Sequence, residues 1–393
     1  MTTPAGLPID VWYGDGPGAP HMPPERALEL AGFDPETPCR VSLGWMVDRH
    51  DWYERRRPDA VVRTFFGGYG LSAAVASGAV EARPARLATI ARQIREHPPH
   101  VAVVSGAQRG PSLRFGPSVG WADVLAASAQ RVVVETDATT PALNTPEIVG
   151  NVVATEQRRA RANVAARSRP PDDVDRAIGT LVSGLLPAEP TLQFGPGGVG
   201  DAIAGCVTAP LRVWSGLATD AVAGLHQRGL LVEPAVAAYA WGGEPIAELA
   251  REGMLRLTST TETHHIGSLA AIPRFIACNT AVQIGLDGAV NVERAGDRTI
   301  AGVGGHADFC LGASLSAGGI SVIAARSTAP DGSSSIVPTV ESVSTPRTDI
   351  DVVVTEHGVA DLRGASFRDR TRLLISVASP THRPWLEHAS HSL

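Results

Sequence analysis

The chain has 393 residues, of which 44% are apolar, and a formal net charge of -6. This length exceeds what one ordinary hydrophobic core organises, so we expect two domains. The acidic balance offers no basic stripe for nucleic acid, and no apolar run reaches the roughly 18 residues that a membrane-spanning helix needs, so we expect neither a nucleic acid nor a membrane as partner.

The first half of the chain alternates short apolar runs with helical patterns. Apolar runs that are closed by turn residues predict buried strands beginning near Val61, His100 and Arg131. Between them, Arg83–Arg95 and the segment from Ala122 have the spacing of helices. Strands that alternate with helices indicate a parallel α/β sheet.

Two segments interrupt this alternation. Residues 1–35 are rich in proline and glycine and predict a loop, and Arg167–Asp173, R-S-R-P-P-D-D, predicts a linker. Asp173 is the predicted N-cap of the amphipathic helix that opens the second half. That half repeats the pattern, with strand, helix, strand and helix near Leu192, Asp201, Leu211 and Asp220. We therefore predict two open α/β domains, residues 1–170 and 171–393, with a ligand between them at the carboxyl ends of the strands.

The basic residues and the cysteines restrict which cofactors and metal sites the chain can hold. All 34 basic residues are arginine, which excludes a Schiff-base lysine and a P-loop lysine. The four cysteines are scattered without a C-x-x-C pair, which is typical of a reducing cytoplasm and argues against a zinc site. The amino terminus lacks a basic region followed by an apolar core. We expect a cytoplasmic protein that binds no metal.

The most informative segment is glycine-rich and runs from Gly302 to Gly319, G-V-G-G-H-A-D-F-C-L-G-A-S-L-S-A-G-G. It is followed by I-S-V-I-A-A-R from Ile320 and by D-I-D-V-V-V-T-E-H-G-V-A-D-L-R-G from Asp349. Upstream stand T-L-Q-F-G-P-G from Thr191 and the apolar stretch around Asn279. In their order along the chain and in their residue sequences, these blocks resemble the acetyl-CoA hydrolase/transferase family, which includes acetate, succinate and 4-hydroxybutyrate CoA-transferases. The resemblance covers roughly residue 101 to the end.

The resemblance implies a fold of two open parallel-sheet α/β domains of the CoA-transferase type. It also implies an enzyme whose substrate is an acyl-CoA, with coenzyme A as the only cofactor. The backbone of the glycine-rich segment would line the thioester and stabilise a developing oxyanion. The residues expected to contact CoA are Gly302, Gly304, Gly305, Asn279, Gly318, Gly319 and Glu356. For Glu356 the alternative is an ion pair with Arg363 that shapes the loop.

One departure from the family changes the predicted chemistry. In these transferases a glutamate attacks the acyl-CoA and carries the CoA as a glutamyl thioester. The corresponding segment here reads W-S-G-L-A-T-D-A-V-A-G-L-H-Q-R-G from Trp214, which places Gly216 where the glutamate should be. Glycine has no side chain with which to form that thioester. We therefore favour direct attack on the thioester by an acceptor, which is water, an amine or an alcohol.

Candidate catalytic residues follow from the same segments. His306 stands where the family usually has glutamine, and an imidazole beside a thioester can act as a general base. The alternative is that His306 only replaces the amide as a hydrogen-bond donor. Glu262 and His264, in T-T-E-T-H-H, are candidates for a relocated acid or base. Their spacing does not match a zinc motif.

Two other functions remain open. A carboxylate elsewhere, with Asp220, Glu244 and Glu262 as candidates, would preserve ordinary CoA transfer to a small carboxylic acid. Loss of the glutamate also permits an inactive CoA-binding or scaffolding subunit. The expected partners are a small acyl thioester and its acceptor, with an acyl carrier protein as a further candidate donor. We also expect a homo-oligomer, such as a homodimer.

Overall fold

Two eight-stranded β-sheets organise the chain. The structure is a computed structural model that describes residues 8–53, 60–137, 140, 143–158 and 169–391. Residues 167 and 168 of the predicted linker lie outside the described residues. No helix in the described ranges is long and apolar enough to cross a membrane.

The first sheet has the strand order β4-β3-β2-β1-β5-β7-β8, all parallel, and β6 adds antiparallel to β5. Its strands are β1 (Ile9–Tyr13), β2 (Cys39–Leu43), β3 (Val61–Thr64), β4 (Glu81–Ala82), β5 (Val101–Arg109), β6 (Ser112–Phe115), β7 (Arg131–Thr136) and β8 (Val152–Gln157). The helices of this half are α1 (Pro24–Leu30), α2 (Ser72–Ala76), α3 (Leu87–Glu96) and α4 (Ala122–Ser128).

The second sheet has the order β12-β11-β10-β9-β13-β18-β20-β21, in which only the β20–β21 pair is antiparallel. Its strands are β9 (Thr191–Phe194), β10 (Arg212–Ala218), β11 (Ala235–Ala240), β12 (Leu255–Leu257), β13 (Phe275–Asn279), β18 (Ile320–Ala324), β20 (Val352–Thr355) and β21 (Gly358–Asp361). Short strands form two further ladders: β14 (Gln283–Gly285), β15 (Val290–Asn291) and β19 (Ile336–Val337), and β16 (Arg294–Ala295) with β17 (Arg298–Thr299). The helices are α5 (Asp173–Ser183), α6 (Gly198–Cys206), α7 (Asp220–Gln227), α8 (Glu244–Arg251), α9 (Thr260–Thr263), α10 (Ile266–Ala271), α11 (His306–Leu315), α12 (Phe367–Val377) and α13 (Arg383–Ser390).

The central strands are continuous apolar runs because parallel sheets are covered on both faces. Every residue of β18 and β20 is buried. One hydrophobic cluster extends across both sheets and includes Leu125 and Val134 of the first half and Leu192 and Val213 of the second. In each sheet the chain winds outward in opposite directions from a central pair, β1–β5 or β9–β13, and such a switch point opens a crevice at the carboxyl ends of the strands.

The predicted alternation of strands and helices is confirmed, and two local predictions are wrong. Residues 9–13 and 24–30 form β1 and α1, although residues 1–35 were expected to be loop. The N-cap of α5 is Asp172, not Asp173, because the Asp172 side chain accepts from the backbone N–H of Asp175 in a capping box. Most of the glycine-rich segment is helix α11. The division at residues 170 and 171 stays a prediction.

Candidate active site

A cavity of about 210 Å³ lies where the carboxyl ends of strands from both sheets meet. We call it the central cavity. The first half contributes the residues after β1, β2 and β3, and the second half contributes the ends of β9, β10, β11 and β13. Its wall is formed by Asp15, Trp45, Phe65, Phe66, Tyr69, Ala85, Leu87, Ile90, Trp121, Gln193, Phe194, Gly195, Pro196, Ser215, Gly216, Leu217, Tyr239, His264, Asn279, Gly304, Gly305, His306 and Phe309.

The wall is mainly apolar and rich in aromatic side chains, and some of its residues have buried polar atoms without partners. Gln193 is only 3% exposed, and its Oε1 accepts no hydrogen bond from any described residue. The indole N–H groups of Trp45 and Trp121 are also buried, and neither has an acceptor within the described part of the chain. Buried polar groups are normally paired, since leaving one unpaired costs roughly 1–3 kcal/mol. Three residues with buried, unpartnered polar atoms thus lie in the wall of one mainly apolar cavity.

A glycine turn brings the second half against the first. Gly304 has a φ of +57°, a left-handed conformation that glycine adopts without strain. Its carbonyl accepts from the backbone N–H of Leu87, at 3.1 Å, on α3 of the first half. A Cβ at Gly302 would lie 2.5 Å from the carbonyl oxygen of Phe65. Gly305 then caps α11, so the positive end of this helix borders the central cavity.

Gly216 lies on β10 in the cavity wall, beside His264. A Cβ at Gly216 would be 3.2 Å from His264 Nε2 and 3.2 Å from Cε2 of Phe309, so these two side chains leave little room for a larger residue. His264 is 1% exposed. The position that the resemblance assigns to the family's glutamate is thus a glycine packed against an imidazole.

His264 presents one ring nitrogen towards Gly216 and Gly305. The Thr263 hydroxyl donates to the carbonyl of Ser259, so its oxygen accepts from His264 Nδ1 at 2.8 Å. Nε2 then carries the lone pair. Burial lowers the pKa of His264 to about 3, which keeps the ring neutral. His264 is placed to accept a hydrogen bond from a ligand, but it is a weak base.

His306, the first residue of α11, has both ring nitrogens engaged by the protein. Nε2 donates to the carbonyl of Thr280 at 3.0 Å, and Nδ1 accepts from the hydroxyl of Thr345 at 2.8 Å. Burial lowers the pKa of His306 to about 4. This geometry fits the donor alternative better than a free general base, and the base role stays a prediction.

The other predicted residues divide between the cavity and distant positions. Asn279 lies in the cavity wall, where its side chain donates to Sγ of Cys310 at 3.6 Å. Glu262 is outside that wall, in a two-pronged ion pair with Arg256 that lowers the pKa of the carboxyl. Gly318 and Gly319 follow α11 at its far end, beside Arg274 and Phe275.

Glu356 is also outside the cavity wall. It accepts from the backbone N–H and the hydroxyl of Ser327, at 2.9 and 2.6 Å. The expected pairing of Glu356 with Arg363 is wrong, because Arg363 forms a two-pronged ion pair with Asp361. Glu356 thus ties the turn after β20 to the loop after β18.

The three carboxylates suggested as a relocated nucleophile are not in the cavity wall. Asp220 accepts from the backbone N–H groups of Gly243 and Ile246 at the start of α8. Glu244 pairs with Arg251 on the surface, and Glu262 pairs with Arg256. The carboxylate that does line the cavity is Asp15, which the sequence analysis missed. Its partner is Tyr239, whose hydroxyl donates to Asp15 Oδ2 at 3.0 Å.

A second opening, of about 660 Å³, adjoins the central cavity and shares Gly195, Pro196 and Asn279 with it. We call it the arginine cleft because Arg169, Arg298 and Arg326 line it. Guanidinium groups suit phosphate because they bind it in a two-pronged manner. Elsewhere, no cluster of three His, Cys, Asp or Glu side chains within the described ranges is placed to hold a metal ion.

Comparison with known proteins relates the chain to CoA enzymes. Residues 246–390 match the acetyl-CoA hydrolase/transferase C-terminal domain. A 4-hydroxybutyrate coenzyme A transferase of Clostridium kluyveri is 33% identical over 228 residues, which is 54% of this chain and 53% of that protein. An acetyl-CoA hydrolase of Candida glabrata is 29% identical over 337 residues, 70% of this chain and 62% of that protein. The chain thus spans about half to three fifths of the length of these relatives.

Solved structures show the fold over nearly the whole chain. RipA from Yersinia pestis superposes with a TM-score of 0.85 at 21% identity, covering 98% of this chain and 95% of that one. A 4-hydroxybutyrate CoA-transferase from Porphyromonas gingivalis superposes with a TM-score of 0.75 at 23% identity, covering 98% and 93%. The predicted CoA-transferase type of fold is confirmed. The carboxy-terminal part of the chain thus matches the acetyl-CoA hydrolase/transferase C-terminal domain, and the chain is similar to CoA-transferases and acetyl-CoA hydrolases over about half of its length or more.

Proposed function

We propose that this protein is an enzyme that binds an acyl-CoA, or another pantetheine thioester, and transfers the acyl group by direct attack of an acceptor. Hydrolysis is the case in which the acceptor is water. The observation that carries the proposal is the central cavity, which joins an apolar wall, unpartnered polar atoms and the capped end of α11 at one place.

The thioester carbonyl would lie beside Gly304 and Gly305. Charge develops on that oxygen during attack, and the positive end of α11 is the feature of the wall that favours a negative charge there. The acyl chain would occupy the aromatic part of the central cavity. Gln193, whose buried Oε1 has no partner among the described residues, is the wall residue nearest in kind to an acceptor for an amide N–H of pantetheine.

The nucleotide part of CoA would lie in the arginine cleft. Gly195 stands at the junction of the two openings, and among the described residues, its two chain neighbours apart, no atom lies within 4 Å of the place where its Cβ would be. A pantetheine arm that runs from the cleft to the cavity would pass this point. The phosphates would then face Arg298, Arg326 and Arg169.

Direct attack follows from the residues near Gly216. A glutamyl thioester has no residue to form on at that position, and the predicted substitutes Asp220, Glu244 and Glu262 are outside the cavity wall. The cytoplasmic location, the homo-oligomer and an acyl carrier protein as donor remain predictions about the whole protein.

The test uses Gly195→Val, which adds a branched side chain at the junction, where the place of the Cβ itself is open. CoA affinity, measured by calorimetry, should fall at least tenfold, or about 1.4 kcal/mol. Release of thiol from a series of acyl-CoAs should fall with it. Gly205→Val is the matched control, since Gly205 lies on α6 away from the central cavity and also has open space around its Cβ position.

Three outcomes are informative. Weakened binding with Gly195→Val and unchanged binding with Gly205→Val support the proposal. Unchanged CoA affinity in folded Gly195→Val places the CoA site elsewhere. CoA binding without release of thiol from any acyl-CoA supports a binding subunit instead of an enzyme.

A further inference from the structure

Asp15 and Tyr239 form a buried pair in the wall of the central cavity. We propose that Asp15 is the general base that accepts the acceptor's proton and returns it to the leaving thiolate, and that Tyr239 positions it. This inference rests on the proposed acyl-transfer function and names the residue that moves the proton.

The geometry of the pair is fixed by the backbone around it. Asp15 follows β1 and Tyr239 lies on β11, so the pair joins the two sheets. The Tyr239 hydroxyl is 3.0 Å from Oδ2 and 3.3 Å from Oδ1 of Asp15. A Cβ at Gly120 would lie 2.5 Å from Asp15 Oδ1 and 2.7 Å from the Tyr239 oxygen, and one at Gly44 would lie 2.5 Å from Asp15 Cβ. Glycine at these positions leaves the room that the pair occupies.

A carboxylate in this place is costly for the fold. Asp15 is 3% exposed, and within the part of the chain that the structure describes no cation pairs with it. Unpaired buried charges are strongly disfavoured. A purely structural hydrogen bond to Tyr239 would need only a neutral acceptor such as an amide. The ionisable group is therefore better explained by chemistry in the cavity that it lines.

Burial raises the pKa of Asp15 to about 7, while the hydrogen bonds from Tyr239 and from the Trp45 backbone N–H oppose that rise. Burial also raises the pKa of Tyr239, so the phenol stays protonated and remains a donor. The other titratable groups on the elements around the pair are Asp123 of α4, whose charge further raises the pKa of Tyr239, Tyr69 after β3 and the neutral His264 after α9. A base that titrates near neutral pH is suited to proton transfer.

The step uses an acceptor that carries an O–H or N–H group. The Asp15 carboxylate takes the proton while the acceptor's oxygen or nitrogen forms a bond to the thioester carbon. The resulting tetrahedral intermediate then breaks its C–S bond. The thiolate of CoA takes the proton back from the Asp15 carboxyl, so the enzyme returns to its starting state and no oxidant or metal is required.

The test is the pH dependence of kcat/KM for thiol release from an acyl-CoA. Wild type should lose activity below pH about 7, because protonated Asp15 accepts no proton. Asp15→Asn should lower kcat/KM by about 10²- to 10⁴-fold and remove this acid limb. CoA itself is the probe for binding, and its affinity should change by less than about threefold.

Tyr239→Phe tests the positioning role and does not depend on the folding of Asp15→Asn. Losing a hydrogen bond that favours the ionised carboxylate should move the acid limb to higher pH by roughly one unit. Asp308→Asn is the matched control. Burial also raises the pKa of Asp308 to about 7, but its carboxylate accepts from the backbone N–H of Ala88 and does not line the central cavity. This variant should leave the acid limb in place.

The outcomes separate this inference from the function on which it rests. Active wild type with an acid limb that persists in Asp15→Asn, or that stays unmoved in Tyr239→Phe, overturns the role of Asp15 and leaves the proposed function intact. A CoA adduct trapped on Asp15 makes it a nucleophile and also overturns the general-base role. Wild type that releases no thiol from any acyl-CoA overturns the proposed function and this inference together.

Discussion

Replacing Asp15 by asparagine should stabilise the protein in a pH-dependent manner. The pKa of Asp15 rises from an ordinary 3.8 to about 7 in the folded state. A raised pKa means that the folded state holds the proton more tightly than the unfolded chain does. The carboxyl's contribution to stability is therefore present at low pH and is lost as pH rises through about 7.

The size of the effect follows from that shift. Between about pH 5.5 and pH 8.5, the unfolded chain is already ionised while the folded state loses its proton near the middle of the window. One pKa unit corresponds to about 1.36 kcal/mol, so wild type should lose about 2 kcal/mol relative to Asp15→Asn across this range. Asparagine keeps an oxygen that accepts from Tyr239, so the comparison isolates the charge.

Urea unfolding followed by tryptophan fluorescence measures this difference. The free energy of unfolding of wild type and Asp15→Asn is compared at both pH values, with Asp297→Asn as a control for removing an exposed carboxylate. We expect the advantage of Asp15→Asn to grow with pH and that of the control to stay constant. An advantage that is equal at the two pH values would show that Asp15 does not titrate as argued.

Three further substitutions test other parts of the site. His306→Gln should keep the acid limb and most of the turnover, because glutamine can still donate to Thr280; a loss of about 10²- to 10⁴-fold would restore His306 as the base. Gly305→Ala should destabilise the fold by about 1–3 kcal/mol, since the added Cβ would lie 2.4 Å from His264 Nε2. A double-mutant cycle in urea should show that cost shrink when His264 is alanine, and an equal cost would refute the clash. Glu262→Gln should change stability by less than about 1 kcal/mol, as expected for an exposed ion pair, and leave thiol release nearly unchanged; abolished release would return Glu262 to the mechanism.

The parallel strands could be predicted well from the sequence because fully buried strands consist of consecutive apolar residues. The runs at Val101 and Arg131 became adjacent strands of one sheet. The same rule failed at residues 9–13, where a five-residue strand is embedded in a proline- and glycine-rich stretch. The helix at residues 306–315 could not be predicted for a similar reason, because the glycines before and after it are typical of turns.

Residues of the site could be predicted only where they lie in segments that resemble the family. The resemblance pointed to Gly304, Gly305 and Asn279, which the structure brings to one cavity. Asp15 and Tyr239 are 224 residues apart, and no local spacing connects them. The available signal was G-D-G directly after the mainly apolar run I-D-V-W-Y, since the end of a parallel strand is where ligands bind.

In the mechanism proposed here, acyl transfer proceeds without a covalent link between enzyme and CoA. This can be tested by intact-protein mass spectrometry of the wild type, quenched with borohydride during turnover of an acyl-CoA. We expect free CoA to accumulate while the protein mass stays unchanged and the peptide from Trp214 to Asp220 is unmodified. A protein species modified at any carboxylate, formed and consumed at the rate of turnover, would contradict it and restore CoA transfer through an enzyme thioester.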